Sequence, residues 1–183
     1  MSVREWINNN SAAATAAAVV LLCVALGVIV WSNTGGPGGI PRDGYFYDLS
    51  SEELFVHRLN EYPPVIGPSN EQAGVRAYVY ACGECPRSRD IVGLSWQELR
   101  EQTDAFVGRF ERWPERARAV LSGEIEPEDE YEQMELELTG PEVRTPDQDR
   151  WVPQNGAAED MSGAHYGDGC PGGELPTYCL PGG

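Results

Sequence analysis

An unbroken apolar run, AAATAAAVVLLCVALGVIVW from Ala12 to Trp31, precedes a chain whose apolar residues come singly or in short alternating groups. Twenty helical residues rise about 30 Å, the thickness of a bilayer's hydrocarbon layer, and the run carries no charge. It predicts a single transmembrane helix over residues 12–32, in contact with the lipid bilayer and preceded by a short segment 1–11. Trp6 and Trp31 fall near its ends, where amphipathic indoles favour the membrane interfaces. Arg4 and the terminal amine are the only cations ahead of it, and a long acidic remainder follows. That bias predicts a cytoplasmic N-terminus and a C-terminal domain on the extracytoplasmic, periplasmic side. A secretory signal would end in a small-residue A-x-A site. Here the run passes into WSNTGGPGG, so a retained anchor is expected.

Along this helix Ala14 and Ala18, then Cys23 and Gly27, sit four apart. Small residues at that spacing share a face and let a neighbouring helix approach closely. They are the candidate contacts to membrane-embedded protein subunits; an Ala-rich composition without a partner is the alternative. Cys23 is expected to act as a small apolar residue.

Residues 33–44 are rich in Gly and Pro and predict a flexible linker. A small α+β domain is expected over 45–138. Tyr45 to Tyr47 and Leu54 to His57 are β-prone runs around DLSSEE, whose Asp and Ser suit a turn, so a hairpin is predicted. After the Pro-rich YPPVIGP, the stretch GVRAYVYA alternates. It sets Val75, Ala77 and Val79 against Arg76, Tyr78 and Tyr80 across one strand, completing a short antiparallel sheet. In LSWQELREQTDAFVGRFERW, the residues Trp96, Leu99, Thr103, Phe106, Phe110 and Trp113 recur every three or four positions. This predicts one amphipathic helix, opened by a capping box of Ser95 and Glu98 and covering the sheet or a partner. Pro114 ends it and opens a second helix, PERARAVL.

The stretch GEIEPEDEYEQMELEL predicts a solvated short helix or loop. Glu128, Asp129 and Glu130 within it are candidates for docking a basic soluble electron carrier such as a c-type cytochrome. The run lacks the ligand spacing of a calcium-binding EF-hand loop. Residues 139–183 predict a long, irregular, Gly- and Pro-rich tail, with a strand-like Trp-Val at Trp151.

Composition narrows the partners. The 183 residues carry a net charge of -16, and all 13 cationic side chains are Arg. Binding nucleic acid through its phosphates is disfavoured, whereas solubility or a basic partner is favoured.

Four cysteines lie outside the membrane run: Cys82, Cys85, Cys170 and Cys179. In an oxidising compartment disulfides are the first expectation, and three pairings are open. Long-range stapling of the Cys82 region to the tail is favoured, because a loose tail gains most from it. The alternative is a structural zinc held by the four thiolates, with His165 or His57 as substitute ligands. Over Tyr45 to Cys85 the chain resembles half of a zinc ribbon, a hairpin plus a CxxC knuckle, although Cys170 and Cys179 are too widely spaced for a second knuckle. CGEC after a strand also resembles the thioredoxin motif, but Pro86 follows it and no βαβ succession surrounds it. Covalent haem attachment requires His where Pro86 stands. A pilin would place its glutamate early in the hydrophobic segment, whereas Glu5 precedes it here.

No nucleophile, phosphate-loop or metalloprotease motif is present in the sequence. The expectation is a non-catalytic, single-pass accessory or structural subunit of a larger membrane complex, photosynthetic or respiratory by analogy, without a cofactor. Its alternatives are an acidic docking module and a CxxC thiol-redox or zinc-ribbon-like protein.

Overall fold

The computed structural model describes residues 11–33, 41–129, 131–156, 170 and 173–182. They fall into two compact units, Met1–Pro41 and Arg42–Gly183, each described by itself.

In the first unit, α1 spans Ser11–Asn33 over 23 residues. Its described side chains are Thr15, Ala16 and residues 19–29, all exposed. Among the described residues no helix is long and apolar enough to cross a membrane. The membrane-spanning expectation therefore rests on the sequence from Ala12 to Trp31.

The second unit is α+β and is built on an antiparallel sheet of seven strands. β1 (Asp43–Asp48) and β2 (Glu53–Arg58) form the predicted hairpin, in register from Asp43 opposite Arg58 to Asp48 opposite Glu53. Its turn hangs on Asp48, which is fully buried. One carboxylate oxygen accepts the Ser50 N–H at 2.9 Å and the other accepts the Ser69 N–H at 2.8 Å. One side chain thus ties the hairpin turn to the loop ahead of the next strand. Gly67 belongs to the same arrangement, since a Cβ there would fall 2.4 Å from Asp48 Oδ2.

β3 (Gly74–Ala81) alternates as expected: Val75, Ala77, Val79 and Ala81 are buried, while Arg76, Tyr78 and Tyr80 are half-buried on the other face. The inward set packs with Tyr45, Tyr47, Leu54, Leu99 and Phe110 into the main core. A smaller cluster of Phe46, Phe55 and Val65 lies apart from it.

The long amphipathic helix is corrected. The capping box is present: Ser95 Oγ accepts the Glu98 N–H and Glu98 accepts the Ser95 N–H. Yet α2 ends after about two turns, Trp96–Gln102, and the chain continues as β4, Ala105–Arg112. Thr103 makes the junction, donating its hydroxyl to the Leu99 carbonyl and accepting the Ala105 N–H. The helical spacing arises from a β-bulge. Tyr78 pairs with Arg109 and Val79 with Val107, so Gly108 is an extra residue on β4. A bulge resets the alternation, leaving Phe106 opposite Tyr80 on one face and Phe110 opposite Ala77 on the other. Two strand residues on opposite faces thereby mimic one helical stripe. Gly108 also suits this position sterically, because a Cβ there would lie 2.8 Å from the Tyr80 ring.

Pro114 is the N-cap of α3 (Glu115–Leu121), and α4 (Glu132–Thr139) buries no residue, as a solvated acidic helix should. The sheet is larger than the hairpin plus strand expected, and the tail is less irregular. β5 (Glu142–Arg144), β6 (Val152–Pro153) and β7 (Thr177–Tyr178) all come from residues after 139, with the strand-like Trp-Val at Trp151 falling at β6. The strand order is β2-β1-β3-β4-β5-β6, with β7 pairing to β3. These segments find order because the free edges of β4 and β3 offer unpaired backbone groups, and Val143 inserts fully buried.

Burial would raise the Asp48 pKa, but the hydrogen bonds from Ser69, Ser50 and Ser51 outweigh it and hold the carboxyl below its ordinary value. A lowered folded-state pKa contributes stability above the unfolded value near 3.8, lost as pH falls through the folded pKa. Asp48→Asn sets an amide donor against backbone donors and is expected to cost about 1–3 kcal/mol at pH 7. Urea unfolding of both proteins at pH 7 and pH 3 checks this: the gap between them should narrow at the lower pH.

Candidate functional site

Cys82, Cys85, Cys170 and Cys179 form two disulfides, Cys82–Cys170 and Cys85–Cys179, with Cα–Cα distances of 5.3 and 5.5 Å. This is the long-range stapling expected, and it selects one of the three pairings. The CxxC sulfurs bond to the tail and not to each other. Among the described residues no group of three or more His, Cys, Asp or Glu is placed to hold a metal. His57 lies edge-on to Phe46 and Phe55, and His165 lies outside the described residues.

The clasp places β7. The Cys179 N–H donates to the Val79 carbonyl at 2.9 Å, and Tyr178 pairs with Tyr80. The Tyr178 ring then lies 5.9 Å from Tyr78 and 5.5 Å from Tyr80, while Tyr80 stacks on Phe106 at 5.9 Å. An aromatic patch results on the face of β3, β4 and β7 opposite the main core. It mixes β3 residues that the alternation exposes with a tail residue that only the disulfide brings there.

Beside this patch is a buried ionic network. Glu111 is only 4% exposed. One of its oxygens accepts from Arg76 Nη1 at 3.0 Å and the other from the Tyr78 hydroxyl at 2.7 Å. Arg76 also donates to the Leu59 carbonyl, and the Arg109 guanidinium lies 4.1 Å from the centre of the Tyr78 ring. Burial first, and the neighbouring Glu111 charge second, push the Tyr78 phenol up. Tyr78 is thus held as a neutral donor and both Glu111 oxygens are engaged. Next to this network opens a cavity of about 360 Å³, walled by Tyr62 and Trp113, whose rings meet edge-to-face at 5.5 Å. Arg76 and Glu111 line it, and Glu61 adds a carboxylate that is 51% exposed.

The remaining predicted partner residues are dispersed. Cys23 and Gly27 are exposed on α1, and the side chains of Ala14 and Ala18 lie outside the described residues. Glu128 pairs with Arg116 at 2.9 Å, and Asp129 accepts the N–H groups of Tyr131 and Glu132 as a local turn brace. Glu130 lies outside the described residues. The Arg76–Glu111–Tyr78 network went unread in the sequence. Its only signal is polar alternation in GVRAYVYA, because the partner strand carries a helical spacing.

This chain matches no family model, no curated protein and no solved structure.

Glu111→Gln removes the charge that balances Arg76, and loss of one partner of a fully buried pair costs roughly 3–5 kcal/mol. Arg76 keeps 21% of its side chain in water, so a smaller loss of about 2–3 kcal/mol is expected by urea denaturation. Separately, each disulfide alone closes a loop of 88 or 94 residues, worth roughly 4–5 kcal/mol in the chain-entropy model. With the first in place, the second closes only the short circuit between residues 82 and 85 and residues 170 and 179. Replacing Cys85 and Cys179 together with Ser should therefore cost nearer 3 kcal/mol. Non-reducing peptide mapping of that variant should still recover the Cys82–Cys170 cross-link.

Proposed function

We propose that this chain is a non-catalytic, single-pass accessory subunit of a larger membrane assembly. Residues 12–32 anchor it, and the Arg42–Gly183 unit lies on the extracytoplasmic, periplasmic side, where it packs on neighbouring subunits. The observation that carries the reading is the exposed apolar surface of α1. The large apolar side chains of Val19, Val20, Leu21, Leu22, Val24, Leu26, Val28 and Ile29 are each 53–70% exposed. A helix with so much apolar surface and no charge from Ala12 to Trp31 gains by leaving water for lipid or for another helix. The two disulfides support the side assigned, since such bonds persist in oxidising compartments.

A second reading, docking of a basic soluble electron carrier, draws support from the acidic segment around α4. Most of its described residues are exposed, and among the described residues Arg116 and Arg118 pair with its carboxylates, those of Glu124, Glu128 and Glu132.

Extraction from the native membrane in mild detergent, followed by native mass spectrometry, tests the proposal. The chain is expected to migrate with a larger assembly, and its mass should show four cysteines oxidised. Recovery in the aqueous fraction, or as a lone stable chain in detergent, would reject it. Steeply salt-dependent release of a small basic protein from the same preparation would favour the docking reading.

A further inference from the structure

We propose that the cavity between Tyr62 and Trp113 receives a single cationic side chain, Arg or Lys, from a protein partner. This deepens the reading of the domain as a surface that packs on other proteins, and it names the chemistry at one point of contact.

Three features of the cavity converge on a cation. Two of its lining residues are aromatic, Tyr62 and Trp113, with their rings perpendicular at 5.5 Å. Rings of this kind, Trp above all, attract guanidinium and ammonium groups within about 6 Å. Its volume of about 360 Å³ lies at the small end of ligand sites and is large enough for one long side chain.

The lining carries one net negative charge. Arg76 and Glu111 neutralise each other at 3.0 Å, and Tyr78 occupies the second Glu111 oxygen. That leaves the Glu61 carboxylate as the net charge of the lining. Glu61 Oε2 lies 3.0 Å from His57 Nε2, but that nitrogen makes no hydrogen bond of acceptable geometry. With half of its surface in water, Glu61 is open to a second donor. The chain's net charge of -16 adds a field that draws cations and repels anions.

The arrangement is also stiff. Arg76 is tied to the Leu59 carbonyl, Trp113 donates its backbone N–H to the Pro63 carbonyl at 2.7 Å, and Pro63 is buried. A site held in place before its ligand arrives loses little ordering entropy on binding.

The test uses the full chain in neutral detergent micelles at 0.15 M salt. The probe is acetyl-Gly-Arg-Gly-amide, compared with its citrulline analogue, which keeps the shape and drops the charge. Binding is read from the Trp113 indole resonance, assigned with Trp113→Phe. The arginine peptide is expected to shift this resonance and the citrulline peptide to bind at least about tenfold more weakly. Glu61→Gln, a surface change that leaves the fold intact, should weaken the arginine peptide about fivefold to tenfold. Glu124→Gln with Glu128→Gln, on the acidic segment away from the lining, should leave it unchanged. Equal binding of the two peptides would overturn the proposal, as would an unmoved Trp113 resonance. Equal weakening by the distant pair would do the same, by showing general attraction to an acidic protein. Because the probe is a small peptide, these failures stand apart from the subunit reading, which co-migration in native mass spectrometry decides.

Discussion

Two sulfur bridges leave the end of β3 within four residues of each other, at Cys82 and Cys85, and reach to Cys170 and Cys179. Much of the C-terminal third depends on this clasp. The last strand is only two residues long, and two backbone pairs cannot repay the entropy of ordering a Gly- and Pro-rich segment. Covalent closure removes most of that entropy from the unfolded chain instead. β3 can serve as the anchor because it is the most firmly placed strand, paired with β1, β4 and β7. A tail fastened to the sheet's centre adds its aromatic ring to the half-exposed face, where Tyr178 meets Tyr78 and Tyr80.

On that face the sheet holds a buried carboxylate that a purely structural design would replace. A buried ion pair is seldom more stable than apolar residues of the same size. Glu111 is retained with Arg76 and Tyr78 around it, and all three flank the cavity or the aromatic patch. What such a network supplies is direction: it fixes where the guanidinium and phenol point. Fixed polar groups beside exposed rings are a common composition for the centre of a protein contact.

The hairpin, the alternating β3, the capping box at Ser95 and the solvated acidic helix were legible because each is local. A turn, a period of two, a cap three residues from its partner and a run of carboxylates all write themselves into a short window. β4 was misread because Gly108 inserts one residue into an alternating strand and converts its period into a helical one. The information that corrects it lies thirty residues away, in the register with β3. Of the short strands after residue 139, the sequence marks only the Trp-Val at Trp151. Runs of two or three residues are too short to show a period and are ordered by the edges and disulfides they meet. Stapling was legible as a principle, since four cysteines flanking a long segment favour it, but the pairing needed coordinates. The cavity was invisible throughout, because its walls come from four separate parts of the chain.

The arginines show how an acidic protein with no lysine uses its cations. Arg109 stacks on Tyr78, Arg112 and Arg144 both lie against Trp151, and Arg76, Arg116 and Arg118 pair with carboxylates. A planar guanidinium suits stacking and forked hydrogen bonding in ways an ammonium does not. Each such pairing cancels one carboxylate, and with 29 acidic side chains against 13 arginines the field at a distance stays negative. A surface of that kind repels acidic surfaces and steers basic ones. Selection among basic partners then falls to short-range features that charge alone cannot provide: the shape of the Tyr62–Trp113 cavity, the position of Glu61 and the stiffness of the network behind them.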